Sequence, residues 1–552
     1  MLRQATVVLR AVRSAGLPVL LATLIVAVIC IFGEPLYDSN DDPGIAMVGA
    51  GFGEAAHPDP HLVWCHYGYG LVLATLSKFV GPNAHGWVTI AAVWLSLALL
   101  IRALWRAQKT IVRFSLLLLS TGAIFSVALL SAEFTTTAGV LFGAAIASWL
   151  ADETHDRKSL LAMAAIVLAL ILSYLIRPES YCLGLTIVMP ALLFLCWRRR
   201  KLLSRYTVMG FCLAVIFALG FATDKLAYST SADWRSVPEY NELRAQFNDY
   251  YRVPWRPQAP EYKTVGWTSN DYRMFFAWYS RDPIYSLENV SFLVQRLAVP
   301  RSTNAVAQIE EWFYYPFTDW PLLISLLGQI VILALLKREL QFVGFLYLAG
   351  EIVAIAFAAM IGKGASDYVW YAASATTLMC LSATLVLPRP KKASFLWSAG
   401  AVLPGLLGIV ALVTVWYGHL KSTEEAAAYR KWINQNLGQL KGNVVVWSIG
   451  LRWECLITPT RIYAPFPELK VAAIDDLSAM PVETDMLKTL GIDDLAKRLC
   501  TDPQMTLICP KGLIPVLIQF GEEHYGITPA FTQIASYGDA GIYSLNGAQP
   551  QP

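Results

Sequence analysis

Stretches of about twenty apolar residues recur along this chain, and they constrain its fold more than any other feature, because a helix of that length crosses a bilayer. We predict eleven spans, at 15–33, 86–104, 112–131, 136–150, 159–176, 181–197, 206–223, 320–336, 340–361, 368–387 and 395–417. Only 15% of the residues are charged, whereas soluble proteins carry about 25%. A chain made of soluble domains alone is therefore excluded, and the pattern predicts a polytopic α-helical membrane protein.

Lysine and arginine are concentrated in alternate loops. Basic clusters precede the first span and follow the second, sixth, eighth and tenth, whereas segment 34–59 has six carboxylates and no Lys or Arg. By the positive-inside rule, the N-terminus is cytoplasmic and the acidic segments are outside. Counting 62–80 as a span would put the cluster Arg198–Arg205 outside, so we predict a helix along the outer membrane interface there.

Two longer segments follow on the outer side. Segment 223–320 is too aromatic to be disordered, and we expect it to fold partly against the membrane, with helices near 240–250 and 270–297. Residues 420–552 carry a helical pattern and three short apolar runs typical of strands, near 443–449, 505–509 and 541–545. We therefore predict a membrane module at 1–419, with outer loops 34–85 and 223–320, and a small α/β domain at 420–552.

Several function classes lack support in the sequence. The short basic clusters adjoin apolar spans, which argues against nucleic-acid binding. No CxxC pair exists among the nine cysteines, so a zinc or thioredoxin-type site is not indicated. The sequence leaves open a disulfide among Cys455, Cys500 and Cys509.

The adjacent carboxylates Asp41 and Asp42 are the strongest candidates for chemistry. They follow the first span by about eight residues, and like charges side by side cost free energy unless a proton, cation or substrate offsets them. We expect Pro43-Gly44 to form a turn that fixes the pair in a loop. A carboxylate in a dehydrated cleft can act as a general base or help to hold a divalent cation. The alternative is an acidic loop facing water.

Arg177-Pro178-Glu179 lies at the outer end of the fifth span, against the trend of the other basic residues. An arginine at that depth usually has an anionic partner, and its planar fork matches phosphate oxygens. A lipid-linked phosphate would fit. The alternatives are an ion pair with Glu179 or Glu133, or contact with lipid headgroups.

Further candidates occur on the same predicted side. Lys225 and Lys363 lie at span ends and would form a cationic rim, although isolated lysines are commonly just solvated. The aromatic segment 267–279, which contains Asp271, is compatible with sugar stacking or with a loop core. His66 is another polar group outside the spans, and the histidines there give little support for a metal.

The layout resembles the GT-C superfamily of integral-membrane glycosyltransferases. The matching features are an Asp pair in the first outer loop, an interface helix at 62–80, the Arg177-Pro178-Glu179 element, a long outer loop after span seven, and an outer C-terminal domain. Many relatives have Arg-Tyr near the start of a late span. Here Asp367 precedes Tyr368, so either Lys363 replaces that arginine in holding a donor phosphate, or donor binding rests more heavily on Arg177.

The resemblance implies a transferase of the bacterial inner membrane, active in envelope biogenesis, that uses a polyprenyl-phosphate-linked sugar. Asp41 or Asp42 would deprotonate an acceptor hydroxyl, and Arg177 with a lysine would stabilise the leaving phosphate. The acceptor can be a glycan, a lipid or a protein. Direct attack would invert the anomeric centre, whereas a carboxylate nucleophile would retain it. No cofactor is indicated with certainty, and a divalent metal remains open.

Two other function classes remain. A transporter or flippase of lipid-linked glycans would need polar residues along the inside of its spans, but most spans here are apolar. A non-catalytic envelope assembly protein would need neither the Asp pair nor Arg177.

Overall fold

The computed structural model describes most of the chain and shows a mainly helical membrane-type protein with a small sheet near its C-terminus. The described residues are 2–107, 111–152, 160–199, 205–250, 252–299, 316–360, 367–385, 395–440, 442–447, 450–463 and 469–550.

A helix covers each of the eleven predicted spans. In chain order these are α1 (Leu2–Gly33), α4 (Ala84–Ala107), α5 (Ile111–Leu130), α6 (Phe134–Ala151), α7 (Leu160–Ile176), α8 (Pro178–Arg199), α9 (Arg205–Thr230), α14 (Trp320–Leu335), α15 (Arg338–Met360), α16 (Asp367–Leu385) and α17 (Phe395–Asn436). Within the described residues, seven helices are long and apolar enough to cross a membrane, and three shorter apolar ones accompany them. The C-terminal half of α17 contains the helix predicted near 424–437.

Helices α6 and α16 form the centre of the bundle. All of α6 is buried, as is α16 from Val369 onward. Gly139 and Gly143 lie one helical turn apart, and a Cβ on either would fall within 2.8 Å of the α16 backbone at Ala372 or Thr376. Small residues at this spacing let two helix backbones approach closely.

The polar segment after α1 corrects one expectation. Asp41 and Asp42 are the first residues of α2 (Asp41–Ala50), so Pro43-Gly44 lies inside a helix rather than in a turn. Carboxylates are favourable in a first helical turn because the helix N-terminus carries partial positive charge. Nearly all of α2 is buried, and α3 (Tyr67–Val80) covers most of the predicted interface helix.

The long outer segment packs on the C-terminal sheet. It contains α10 (Val237–Asn248), α11 (Pro260–Thr264), α12 (Ser269–Phe276) and α13 (Leu287–Leu297). Its aromatic residues, including Phe247 and Trp267, share one buried cluster with Trp447 and Leu517 of the C-terminal part. Most of this segment therefore packs on the sheet, whereas Trp234 and Val237 near its start join the buried cluster of the helical bundle. That part of the segment folds against the membrane stays a prediction.

The C-terminal residues form a five-stranded sheet in the order β4-β3-β5-β7-β6. Its strands are β3 (Asn443–Trp447), β4 (Val471–Ile474), β5 (Met505–Pro510), β6 (Ile527–Tyr537) and β7 (Ala540–Pro550). Strands β3, β4 and β5 run parallel, whereas β5–β7 and β7–β6 are antiparallel. Helices α18 (Trp453–Leu456), α19 (Pro481–Leu490), α20 (Leu495–Thr501) and α21 (Ile514–Tyr525) complete this part.

The sequence missed β4 and β6. Strand β4 has only four residues, and β6 carries Pro529 and a polar face at the edge of the sheet. All nine cysteines are free thiols, so the disulfide left open among Cys455, Cys500 and Cys509 is not present.

The sheet contacts the helical bundle through the segment that follows α2. The Val471 N–H donates to the Gly53 carbonyl at 3.1 Å, and Lys470 Nζ donates to the carbonyl of Ala55 at 3.0 Å. Asn40, immediately before α2, exchanges hydrogen bonds with Leu451 and Glu454. The Asp pair therefore lies where the helical bundle meets the C-terminal part.

Candidate functional site

The two neighbouring aspartates have different surroundings. Asp42 is fully buried, and its Oδ1 lies 2.8 Å from Nε2 of His85. The other ring nitrogen of His85 lies 2.9 Å from the hydroxyl of Tyr69. Asp41 is only partly buried. Asp41 therefore retains some solvent exposure, whereas Asp42 is held by His85 of α4, which in turn contacts Tyr69 of α3.

Both carboxyl groups have raised pKa values. Burial raises the pKa of Asp42 well above its ordinary value, and repulsion from Asp41 and Asp38 adds to the shift. Burial also raises the pKa of Asp41, whereas the charge of Arg177 opposes that shift. Burial penalises the charged form of an acid, and a nearby cation restores it. The charge of Arg177 also opposes the shift at Asp42, whereas Arg244 opposes it and Asp249 increases it at Asp41.

Arg177 lies between α7 and α8, and its guanidinium is 14% exposed. Nη1 donates to the Trp64 carbonyl at 2.5 Å, Nε lies 3.3 Å from Oε2 of Glu179, and the group stands 4.8 Å from the centre of the Phe134 ring. The ion pair between Arg177 and Glu179, one of the alternatives from the sequence, is therefore present. The same charge still acts on both aspartates.

A second cation acts on Asp41 from the outer layer, which consists of α10–α13 and the C-terminal sheet. Arg244 of α10 is 4% exposed, stands 4.5 Å from the centre of the Trp278 ring, and has no hydrogen-bond partner at Nη1. Its charge lowers the pKa of Asp41 and also acts on Asp475 and Asp476, directly after β4. Burial raises the pKa of Asp475 to about 6. Asp41 is therefore electrostatically linked to the bundle through Arg177 and to the outer layer through Arg244.

An acidic cavity of about 440 Å³ opens beside this region. It lies where the N-terminal ends of α6, α14 and α16 meet the middle of α17. Its lining is rich in carboxylates and hydroxyls: Asp38, Ser131, Glu133, Thr136, Thr318, Asp319, Asp367, Tyr368, Tyr371, His419 and Ser422, with Val127, Trp320, Pro321, Thr414, Val415 and Gly418. Within the described residues, no lysine or arginine contributes to it.

A short strand pair places two of these carboxylates side by side. Strand β1 (Leu36–Tyr37) runs parallel to β2 (Ser131–Ala132), with Tyr37 opposite Ala132. Asp38 and Glu133 follow directly. Asp38 is exposed to the cavity, yet the cavity walls remove it from bulk water. This burial, with repulsion from Asp367 and other acids, raises its pKa to about 7.

Three of the cavity carboxylates also stabilise helix ends. Glu133 Oε2 accepts the Thr136 N–H at 2.6 Å, and Asp319 Oδ1 accepts the Leu322 N–H at 3.1 Å. Asp367 accepts the Tyr368 N–H at 2.9 Å. Side-chain oxygens in these positions satisfy amides that the helix leaves unpaired. Burial nevertheless raises the pKa of Glu133 to about 8, and the charge of Asp42 contributes.

The remaining predicted residues are placed differently. His66 is a buried cap of α3 that accepts the Gly68 N–H, and Asp271 forms a capping box with Thr268 and accepts from His524 at 2.7 Å. Lys225 is exposed near the end of α9. Tyr368 lines the acidic cavity, and Lys363 lies outside the described residues.

Sequence reasoning missed Arg244, Asp475, Asp476 and the structural partner His85. A signal existed for the acids: Asp475-Asp476 repeats the adjacent pair that singled out Asp41-Asp42, and it follows four apolar residues. Nothing in the local sequence distinguishes Arg244 from the other arginines of the long outer segment.

One group of potential metal ligands occurs among the described residues, formed by Asp271, Glu523 and His524. Both oxygens of Asp271 already accept hydrogen bonds, from Thr268 and from His524. This group is accounted for as a helix cap with an ion pair, and the Asp41-Asp42 pair does not belong to it.

Comparison with known proteins gives distant structural likenesses only. No family model matches the chain, and no curated protein sequence matches it. Two solved structures are similar: ArnT from Cupriavidus metallidurans in the apo state, with 12% identity and a TM-score of 0.40, and the same protein bound to undecaprenyl phosphate, with 11% and 0.38. Each alignment covers 95% of this chain and 97% of the other. ArnT is a GT-C glycosyltransferase, but a likeness this distant carries no argument about function here.

Proposed function

We propose that this chain is a GT-C-type glycosyltransferase that moves a sugar from a polyprenyl-phosphate donor to an acceptor hydroxyl on the outer face of a bacterial inner membrane. The observation that carries the proposal is the position of Asp41. It is a partly exposed carboxylate at the junction of bundle and outer layer, under the influence of a cation from each side. Such a carboxylate can deprotonate an acceptor hydroxyl, while the neighbouring cations bind the phosphate of the donor.

In this mechanism Asp41 is the general base. It takes the proton from the acceptor hydroxyl while that oxygen forms a bond to the anomeric carbon. The bond between that carbon and the phosphate oxygen breaks, and its electron pair leaves with the phosphate. Arg177 stabilises the developing charge, because a positioned guanidinium binds phosphate oxygens well. Direct displacement inverts the anomeric centre.

Asp42 has a positioning role in this proposal. It is fully buried, so it cannot contact an acceptor, and its bond to His85 fixes the first turn of α2. Burial and two neighbouring acids raise its pKa well above the ordinary value, which favours its neutral form. The structure thus favours Asp41 over Asp42 as the base, a choice that the sequence left open.

The membrane arrangement belongs to the same proposal. In it, the eleven helices that coincide with the predicted spans cross the bilayer, the N-terminus is cytoplasmic, and residues 420–552 form an outer α/β domain. The pattern of basic loops supports this orientation. Lys225 and Lys363 remain candidates for donor contact near the outer surface, and the acceptor can be a glycan, a lipid or a protein.

The test compares Asp41→Asn with Asp42→Asn in purified protein, using transfer from polyprenyl-phosphate sugars to candidate acceptors. Loss of a general base costs about 10²–10⁴-fold in rate, so Asp41→Asn should lose that much. Asp42→Asn keeps a group that can form a hydrogen bond with His85 in either tautomer, and it should lose less. Full transfer by Asp41→Asn would refute the assignment, and an assay with EDTA decides whether a divalent metal is needed.

The pH dependence gives a second readout. Asp41 must be ionised to act as a base, and burial raises its pKa. The wild-type rate should therefore begin to fall at a higher pH, on acidification, than it would for an ordinary aspartate. A rate that stays constant down to about pH 4, the usual aspartate value, would contradict this role.

A further inference from the structure

The acidic cavity at the N-terminal ends of α6, α14 and α16 takes no part in the Asp41 mechanism. Neither Asp41 nor Asp42 lines it. Its volume of about 440 Å³ is in the range of small-molecule sites, which are roughly 300–1,000 Å³. Four carboxylates face it, and no cation from the described residues balances them.

Helix capping explains only part of this charge. Asp319 and Asp367 are occupied by backbone amides, and Asp319 also accepts the Tyr371 hydroxyl at 3.0 Å. Glu133 is 2% exposed, and only its Oε2 is used in capping. Its Oε1 is buried without a hydrogen-bond partner. A buried acceptor without a partner costs roughly 1–3 kcal/mol, so a donor supplied by a ligand would remove that cost.

His419 provides a second buried acceptor in the same wall. Its Nε2 lies 2.5 Å from the Gly33 carbonyl, to which it can only donate. In the neutral ring the other nitrogen then carries the lone pair. That atom, Nδ1, is buried and has no partner. The unsatisfied groups in this wall, Glu133 Oε1 and His419 Nδ1, therefore both call for hydrogen-bond donors.

The spacing of the carboxylates favours an organic cation over a metal ion. Among the described residues, three ligand atoms within 4.8 Å of one another occur only at Asp271, Glu523 and His524. The cavity acids are therefore too far apart for any three of them to bind one ion. An ammonium group donates three hydrogen bonds from a single charged centre, and tyrosine rings such as Tyr368 and Tyr371 add favourable contacts.

We propose that this cavity binds the ammonium group of a small amine-bearing ligand, with Asp38 and Glu133 as its principal carboxylates and His419 Nδ1 as a further acceptor. The ammonium can belong to a sugar ring or to a lipid headgroup. The site goes beyond the proposed transfer reaction, and its occupancy can be measured without any transfer.

The test is a ligand-observed NMR titration of the detergent-purified full-length protein with glucosamine, glucose and ethanolamine. Glucosamine and glucose share a ring and differ in one ammonium group. We expect glucosamine to bind at least tenfold more tightly than glucose. Ethanolamine binding as tightly as glucosamine would assign the site to a headgroup amine, and weaker ethanolamine binding would assign it to an amino sugar.

Variants locate the binding in this cavity. Asp38→Asn and Glu133→Gln should each weaken glucosamine binding at least tenfold and leave glucose unchanged, because an amide keeps the size of the side chain but cannot ionise opposite an ammonium group. Glu288→Gln, at an exposed carboxylate of α13, is the matched control and should have no effect. Thermal unfolding of each variant checks that it is folded.

Three results would overturn the proposal. The first is equal binding of glucosamine and glucose. The second is unchanged glucosamine binding in both cavity variants. The third is complete displacement of glucosamine by millimolar Mg²⁺ or Ca²⁺, which would indicate a metal site. Failure to detect glycosyl transfer would leave this test intact.

Discussion

The surroundings of Asp41 and the acidic cavity are both rich in carboxylates, but the charges around them differ. Arg177 of the bundle and Arg244 of the outer layer both act to lower the pKa of Asp41. The cavity around Asp38 and Glu133 has no lysine or arginine among its described lining residues. An acid beside cations can remain charged next to a phosphate. An acid among acids has a raised pKa and favours a cationic ligand. The two regions are therefore suited to oppositely charged parts of their ligands.

Among the variants that test this difference, we expect Arg177→Gln to have the largest effect on the transfer rate. It removes the cation beside Asp41, and transfer should fall by about 10²-fold, within the range for losing a group that stabilises charge in a transition state. Glucosamine binding to the acidic cavity should remain, because no atom of Arg177 lines it. The measurement is transfer rate and amine binding on the same preparation.

Arg177→Lys is the matched variant for this experiment. It keeps the charge and loses the planar fork, so it should recover only part of the rate. Normal transfer by Arg177→Gln would show that the cation beside Asp41 is not needed, and the contrast between the two regions would then lose its functional meaning.

His85→Ala should destabilise the protein, which sharpens the difference within the Asp pair. The substitution leaves Oδ1 of buried Asp42 without its 2.8 Å partner, and breaking a buried polar pair costs roughly 1–3 kcal/mol. The melting temperature should fall, whereas Asp42→Asn, which can still form a hydrogen bond with His85, should have a smaller effect. A larger loss of stability in Asp42→Asn than in His85→Ala would contradict the proposed positioning role.

The smallest effect concerns Glu133 and is a change of stability with pH. Burial raises its pKa from 4.5 to about 8, so the folded protein binds this proton more tightly than the unfolded chain. The stability that comes from this proton is complete below pH 4.5 and is lost as the pH rises through 8. Glu133→Gln carries no such penalty, so its melting temperature should exceed that of the wild type by a few degrees, roughly 1–4 °C, at pH 9 and not at pH 5.

Thermal unfolding at pH 5, 7 and 9 measures this difference, with Glu288→Gln as the exposed control. A melting-temperature difference that is the same at all three pH values would show that Glu133 does not have a raised pKa. The contrast in charge between the cavity and the surroundings of Asp41 would then lose its support.

The sequence predicted the helical part of the fold well because long apolar runs and basic loops are local signals. Each predicted span falls on a helix, and α3 covers most of the predicted interface helix. The local conformation of the Asp pair was wrong, because Pro43-Gly44 is compatible with a turn as well as with the first turn of a helix. The packing of the long aromatic segment on the C-terminal sheet was not predicted, since aromatic residues suit a membrane interface and a soluble core equally.

The candidate site was only partly predictable for a similar reason. Asp41, Asp42 and Arg177 stand out by sequence, whereas Arg244 and Asp476 reach Asp41 only because the outer segment and β4 pack against the bundle. Asp38 and Glu133 lie 95 residues apart in the chain and become neighbours through the two-residue pairing of β1 with β2. Such short pairings leave no periodic pattern in a sequence.

The sequence by itself determined that this chain is a membrane-type helical protein and that two adjacent aspartates lie at the end of its first span, because length, hydropathy and charge are local properties of a chain. The tertiary structure decided which aspartate retains some solvent exposure, which cations act on it, and where the unbalanced acids gather. Burial and electrostatic neighbours depend on packing between distant segments, and those quantities set the charge of each carboxylate.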